Sequence, residues 1–138
     1  MKTIRQLVTI LVILACAIPA AASRLETVKV ESESMHKPVD VSVVLPDSYG
    51  ARPLPVVYLL HGYGDNNLRG YLGYSNVRQY ADMFDVVLVI PDGGTNWYFD
   101  SPVDPTIRYE TFVSSELVKY IDKNYLTDAR RERRAVTG

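Results

Sequence analysis

An apolar run that meets a glycine turn constrains this chain more than any other stretch. Val56-Val57-Tyr58-Leu59-Leu60 has two β-branched residues and no helical period, and His61-Gly62-Tyr63-Gly64 closes it at once. A run of that kind predicts a strand buried on both faces, inside a parallel sheet. The turn then falls at the strand's C-terminal end. Open α/β sheets bind their ligands along that edge, and glycines there let backbone approach a ligand closely.

The rest of the chain supplies the partners of such a strand. Leu25 to Ser34 alternates, with Val28 and Val30 on one side and Lys29 and Glu31 on the other, which predicts a half-exposed strand at a sheet edge. Met35 to Pro38 is a turn, and Val39 to Leu45 alternates again. Val77 to Phe84 carries Val77, Tyr80, Ala81 and Phe84 at helical spacing, with Ser75 or Asn76 as cap, whereas Gly70 and Gly73 weaken a helix just before it. Val86 to Ile90 is a second buried strand, ended by Pro91-Asp92-Gly93-Gly94. Thr95 to Pro105 is an irregular loop holding Trp97, Tyr98 and Phe99. Arg108 to Tyr125 is the clearest helix: Phe112, Val113, Leu117, Tyr120 and Ile121 share one face, and Glu116, Lys119, Asp122 and Lys123 the other, with Glu116 and Lys119 as an i,i+3 pair. Arg134 to Gly138 begins another apolar strand.

Length allows one domain. The first 22 residues have the form of a secretory signal: Lys2 and Arg5, then an apolar run from Leu7 to Ala17, then Ala20-Ala21-Ala22 before Ser23. Residues 23–138 form the domain, in a secreted or periplasmic protein. Ile13-Leu14-Ala15-Cys16 resembles a lipobox, so a lipid anchor at Cys16 stays open as the alternative. Cleavage after Ala22 removes the one cysteine, and with it any disulfide or thiol nucleophile. It also removes two basic residues and leaves 13 basic against 16 acidic. That balance gives no case for nucleic acid, and the basic cluster Arg130 to Arg134 is broken by Glu132. No run is long enough to span a membrane. No metal-ligand pattern is present, and none of the spacings calls for a cofactor.

Three segments, LPVVYLLHGYGDN (54–66), VVLVIPDGGTNWYFD (86–100) and YETFVSSELVKYIDKNY (109–125), resemble in order and spacing the secreted esterase family of the α/β-hydrolase superfamily. That family takes in esterase D, S-formylglutathione hydrolase, feruloyl esterases and mycolyltransferases. The resemblance implies an α/β chain, the N-terminal half of an α/β-hydrolase fold, with a mostly parallel sheet and an antiparallel start. It implies a serine carboxylic ester hydrolase acting on a small-molecule ester or thioester. In such a sheet the strand at Arg134 runs into a nucleophile elbow, G-x-S-x-G, and Gly138 stands where its first glycine belongs. The serine, acid and histidine then follow Gly138, so the 138 residues lack the triad and are expected to be inactive and at best marginally folded alone.

What the resemblance does place inside the chain is the oxyanion loop: the backbone N–H of Tyr63, supported by His61, Gly62 and Gly64. An ordinary tight turn is the alternative for the glycines, and a catalytic base or metal ligand the alternative for His61. Trp97 is either a wall of the acyl or aryl pocket or a packing residue. Asp92 holds the Pro-Asp-Gly turn, and Glu110 is a charge at a helix start. Gly73-Tyr74-Ser75-Asn76-Val77 imitates an elbow but ends in valine and follows no strand. His36 lies in an early turn. Two other readings remain: acyl transfer, as in the mycolyltransferases, which tend to lack the His-Gly pair, and a noncatalytic secreted binding protein.

Overall fold

The computed structural model describes residues 22–138. The signal-like leader and Cys16 therefore lie outside the described residues.

Five strands form one sheet in the order β1-β2-β4-β3-β5. β1 (Arg24–Ser32) and β2 (Lys37–Leu45) make an antiparallel hairpin with β1 at the edge. β2 also runs antiparallel to β4 (Val87–Pro91). β3 (Val56–Leu59) is an interior strand, one in from the edge, and lies parallel to both β4 and β5 (Arg134–Thr137). Parallel and antiparallel pairings are thus equal in number, and the expected mostly parallel sheet holds only for the β4-β3-β5 side.

The apolar runs were read as buried on both faces, and the packing shows why. Val43, Val56, Tyr58, Val87 and Val89 enter one core, while Val44, Leu59, Leu88 and Ile90 enter a second on the opposite face. This is the two-residue alternation of a strand with hydrophobic cover on each side. Helix α2 (Val77–Phe84) covers the second core with Val77 and Ala81. Tyr80 and Phe84, expected on its apolar face, are exposed and lie against each other, with centroids 6.4 Å apart. A short α1 (Gly70–Tyr74) precedes it despite its two glycines. Asn66 supports that start: its side-chain oxygen accepts the N–H groups of Leu68 and Arg69.

Helix α3 (109–124) covers the first core. Its middle turn, Phe112–Glu116, is a π-helix between the α-helical pieces Tyr109–Thr111 and Leu117–Asn124. Phe112 and Leu117 are fully buried yet five residues apart, a spacing that an α-helix rotates off one face. The N–H of Leu117 reaches back to the carbonyl of Phe112, and this wider turn returns both to the sheet.

Glu116 is displaced by the same turn. It does not serve as an outward partner of Lys119; its carboxylate accepts Ser32 Oγ at 2.7 Å and the Ser34 N–H at 2.9 Å, tying α3 to the β1–β2 hairpin. Partial burial pushes its pKa upward, but the hydrogen bonds from Ser32 and Ser34 outweigh it and hold the carboxyl below the ordinary 4.5. A folded value below the unfolded one stabilises the fold above the unfolded pKa, and that stability is lost as pH falls through the folded value. Wild type is therefore expected to melt above Glu116→Gln at about pH 7, and the gap to close as pH falls below 4.5 and through the folded value. Thermal melts of both proteins across that range check it.

Candidate active site

The loops after β3 and β4 leave the sheet side by side, at the C-terminal ends of parallel strands. His61 joins them. Its side chain is buried, and its Nε2 accepts the backbone N–H of Gly93 at 2.8 Å. A ring nitrogen that accepts carries no proton, so the proton sits on Nδ1, which donates to the Gly62 carbonyl 2.8 Å away. Both nitrogens are thereby used within the protein. Asp92 Oδ1 stands 3.5 Å from Nε2 but accepts the Gly94 N–H at 2.8 Å, and an unprotonated Nε2 has no hydrogen to offer it. The bond to Gly94 gives Asp92 the turn-holding role read from its Pro-Asp-Gly setting.

A second set of contacts locks the same loops. Gly64 donates to the Gly94 carbonyl at 3.1 Å, and Asp65 closes a turn onto the Gly62 carbonyl at 3.1 Å. Gly64 and Gly94 both have positive φ, +74° and +53°, which suits residues without Cβ. Tyr98, also at positive φ, sets its ring edge-on to His61 with centroids 5.5 Å apart and donates its hydroxyl to the Pro91 carbonyl at 2.9 Å. Burial pushes that phenol above its ordinary pKa and keeps it a neutral donor.

Between these supports the backbone of Gly62 and Tyr63 turns outward. Neither N–H has a backbone carbonyl acceptor among the described residues. Tyr63 borders an open cavity of about 490 Å³ whose other walls include His61, Asn96, Trp97, Tyr98 and Gly138. Trp97 reaches this cavity as a wall and stacks on the ring of Tyr63, with centroids 5.1 Å apart and planes at 26°. The sequence does not announce that stack, because Tyr63 and Trp97 lie on different loops 34 positions apart. Nor does it announce the bond from Gly93 to His61, which crosses 32 positions of chain.

β5 brings Gly138 to the same cavity. Leu60 donates to the Thr137 carbonyl at 2.8 Å, and a Cβ on Gly138 would stand 2.5 Å from the Leu60 carbonyl oxygen. The position therefore admits only glycine without movement of backbone. His36 lies apart, exposed at positive φ in the β1–β2 turn. Ser75 is exposed beyond α1, and its hydroxyl donates back to Tyr71. Glu110 is exposed in the first turn of α3. No group of three or more His, Cys, Asp or Glu among the described residues is placed to hold a metal ion, and no described helix is long and apolar enough to cross a membrane.

Comparison with known proteins gives concordant results. The family described as "Putative esterase" matches residues 32–138. An esterase of Mycobacterium tuberculosis is 35% identical over 104 residues, covering 71% of this chain and 23% of the relative. An endo-1,4-beta-xylanase/feruloyl esterase of Xylanibacter ruminicola is 34% identical over 121 residues, 78% of this chain and 17% of the relative. Among solved structures, a ferulic acid esterase superposes with a TM-score of 0.73 at 28% identity, over 84% of this chain and 48% of that one. An S-formylglutathione hydrolase from Agrobacterium tumefaciens has a similar fold, with a TM-score of 0.74 at 20% identity over 85% of this chain and 49% of that one. The chain thus spans a quarter or less of the curated relatives and about half of these solved chains.

Proposed function

The chain belongs to the esterase family, and from that premise we propose that the whole protein is a serine carboxylic ester hydrolase in which this chain supplies the oxyanion-binding half of the site. One observation carries the reading: Tyr63, whose backbone N–H has no backbone partner among the described residues, lines the cavity that Gly138 at the end of β5 also borders. Donors fixed before reaction, at the place where negative charge develops, favour the tetrahedral intermediate over the planar ester.

The nucleophile in this proposal is a serine two residues beyond Gly138, roughly 6–7 Å farther along an extended strand. The histidine expected beyond Gly138 takes the proton of the serine hydroxyl as the oxygen attacks the ester carbonyl, and the carbonyl oxygen takes up charge against the Tyr63 N–H. The proton passes to the leaving oxygen, the alcohol departs, and water, deprotonated by the same histidine, attacks the acyl-enzyme and releases the acid and the serine. The close approach of Gly138 to Leu60 supports the placement, since it holds β5 against β3 beside the Tyr63 loop. His61 is not the base in this scheme. Its accepting nitrogen is already occupied by Gly93, and its role is to hold the loop. The leader-like residues 1–22 support export of the whole protein, by signal cleavage or through a lipidated Cys16.

A fluorophosphonate probe tests the proposal. The whole protein is expected to label at one serine after Gly138 and to hydrolyse p-nitrophenyl acetate, while the 138-residue chain does neither. Stoichiometric labelling of the 138-residue chain would show that the nucleophile has been misplaced.

A further inference from the structure

Ser23 is 4% exposed, whereas Ala22 before it lies open to solvent. Helix α2 holds this serine by all three of its polar groups. Arg78 donates its Nε to Ser23 Oγ at 3.2 Å and its Nη2 to the Ser23 carbonyl. The Ser23 N–H points to Asp82 Oδ2, 3.4 Å away. Arg78 and Asp82 stand one turn apart on α2, the spacing of an ion pair, yet they form none with each other. The other oxygen of Asp82 accepts the Asp47 N–H at 2.8 Å. Asp82 thus sits at the open end of the β1–β2 hairpin, where Arg24 pairs with Leu45, and ties both strand ends to α2. Two neutral amides face this carboxylate, and it makes no ion pair among the described residues. The contact to Ser23 is long for an amide that donates to a charged oxygen.

We propose that cleavage after Ala22 makes Ser23 the first residue of the exported protein, and that Asp82 is the seat of its new α-ammonium. The inference goes beyond the ester chemistry. It rests on the export reading and selects cleavage over a lipidated Cys16. Water is the second reactant: the bond from the Ala22 carbonyl carbon to the Ser23 nitrogen breaks, and the leader departs with a carboxylate. Ser23 keeps the nitrogen as an amine, which is protonated at neutral pH because an α-amino group has a pKa of about 8. Ala20 and Ala22 are the small residues such a cut requires, and it falls at a nitrogen that already faces a carboxylate. The polarity around Ser23 is sorted to match. Arg78 takes its two oxygens and Asp82 its nitrogen. Arg24, the next cation along the chain, is paired with Glu26 at 2.9 Å. Cleavage thus turns a long neutral contact into a charge-assisted one, and it fastens the edge strand β1 to α2 in the processed protein.

The whole protein, produced with its own leader in an exporting bacterial host, is sequenced from its amino end. Ser23 is expected first. Any other first residue in the exported product, a lipidated Cys16 included, overturns the proposal and leaves export standing. Retention of Met1 overturns the export reading as well. The ion pair has a separate readout. The whole protein is made behind a removable tag that leaves either Ser23 or Ala20 first, each as wild type and as Asp82→Asn. The Ser23 form is expected to melt about 2–4 °C above the Ala20 form, and Asp82→Asn to erase that gap. A gap that persists in Asp82→Asn overturns the proposal, as does the absence of a gap in the wild type. The wild-type comparison changes nothing inside the fold, so it decides the matter even where Asp82→Asn folds poorly. None of these outcomes depends on whether the whole protein hydrolyses esters.

Discussion

Replacing His61 by alanine is expected to destabilise the fold by about 3 kcal/mol and to lower kcat/KM of the whole protein by about 100-fold or more. Two losses add in the stability term. The imidazole leaves a void in a buried place. The buried Gly93 N–H also loses its acceptor, whereas the exposed Gly62 carbonyl keeps the Asp65 N–H. A buried group stripped of its partner costs more than an average hydrogen bond contributes, because water cannot replace the missing bond. The kinetic loss has a separate origin: with the latch gone, the loop no longer fixes the Tyr63 N–H. Glutamine separates this role from that of a catalytic base. Its side-chain oxygen reaches the region of Nε2 and accepts from Gly93, so His61→Gln is expected to recover part of both losses. A base would be lost as completely with glutamine as with alanine. Urea unfolding and steady-state kinetics of the two variants decide between the roles.

Gly93→Ala is expected to cost about 2–3 kcal/mol by overpacking alone. The added Cβ would lie 2.5 Å from Cζ of Tyr98 and 2.8 Å from its Cε1 and hydroxyl oxygen. Tyr98 has no room to retreat. Its hydroxyl is tied to Pro91, its ring meets His61 and Tyr109 edge-on, and its backbone already sits at a φ of +52°. A double-mutant cycle isolates the collision. In a Tyr98→Leu background the same Gly93→Ala change is expected to cost less than about 1 kcal/mol. An unchanged cost would assign the effect to the turn itself rather than to the ring.

The parts legible in the sequence are those that a local pattern dictates. Val56 to Leu60 and Val86 to Ile90 declare themselves as buried strands because apolar residues run without a break into glycine, and both lie within the sheet interior. Asp92 is legible because an Asp before two glycines hydrogen-bonds a backbone nearby in the chain. Contacts between distant segments are another matter. Periodicity tells which face of α3 is buried but not that Glu116 meets Ser32, 84 positions away. The Tyr63–Trp97 stack and the His61–Gly93 bond are of this kind, since each needs the two loops to be adjacent first. One missed feature did leave a trace. Phe112 and Leu117 are five apart in a segment otherwise apolar at three and four, and a π-helical turn is what reconciles that spacing with one buried face.

The bond from Gly93 to His61 has a bearing on the order in which such a molecule is built. Both partners lie within residues 61–98, as do Pro91 and Tyr98, although Asp40 and Tyr109 also brace the loop after β4. A ribosome delivers about 5–20 residues per second, so both partners are made about 2–8 seconds before Gly138. A nascent chain therefore has both loops available to each other while β5 is still being made. Completion of the sheet then amounts to docking one late strand, β5, along β3.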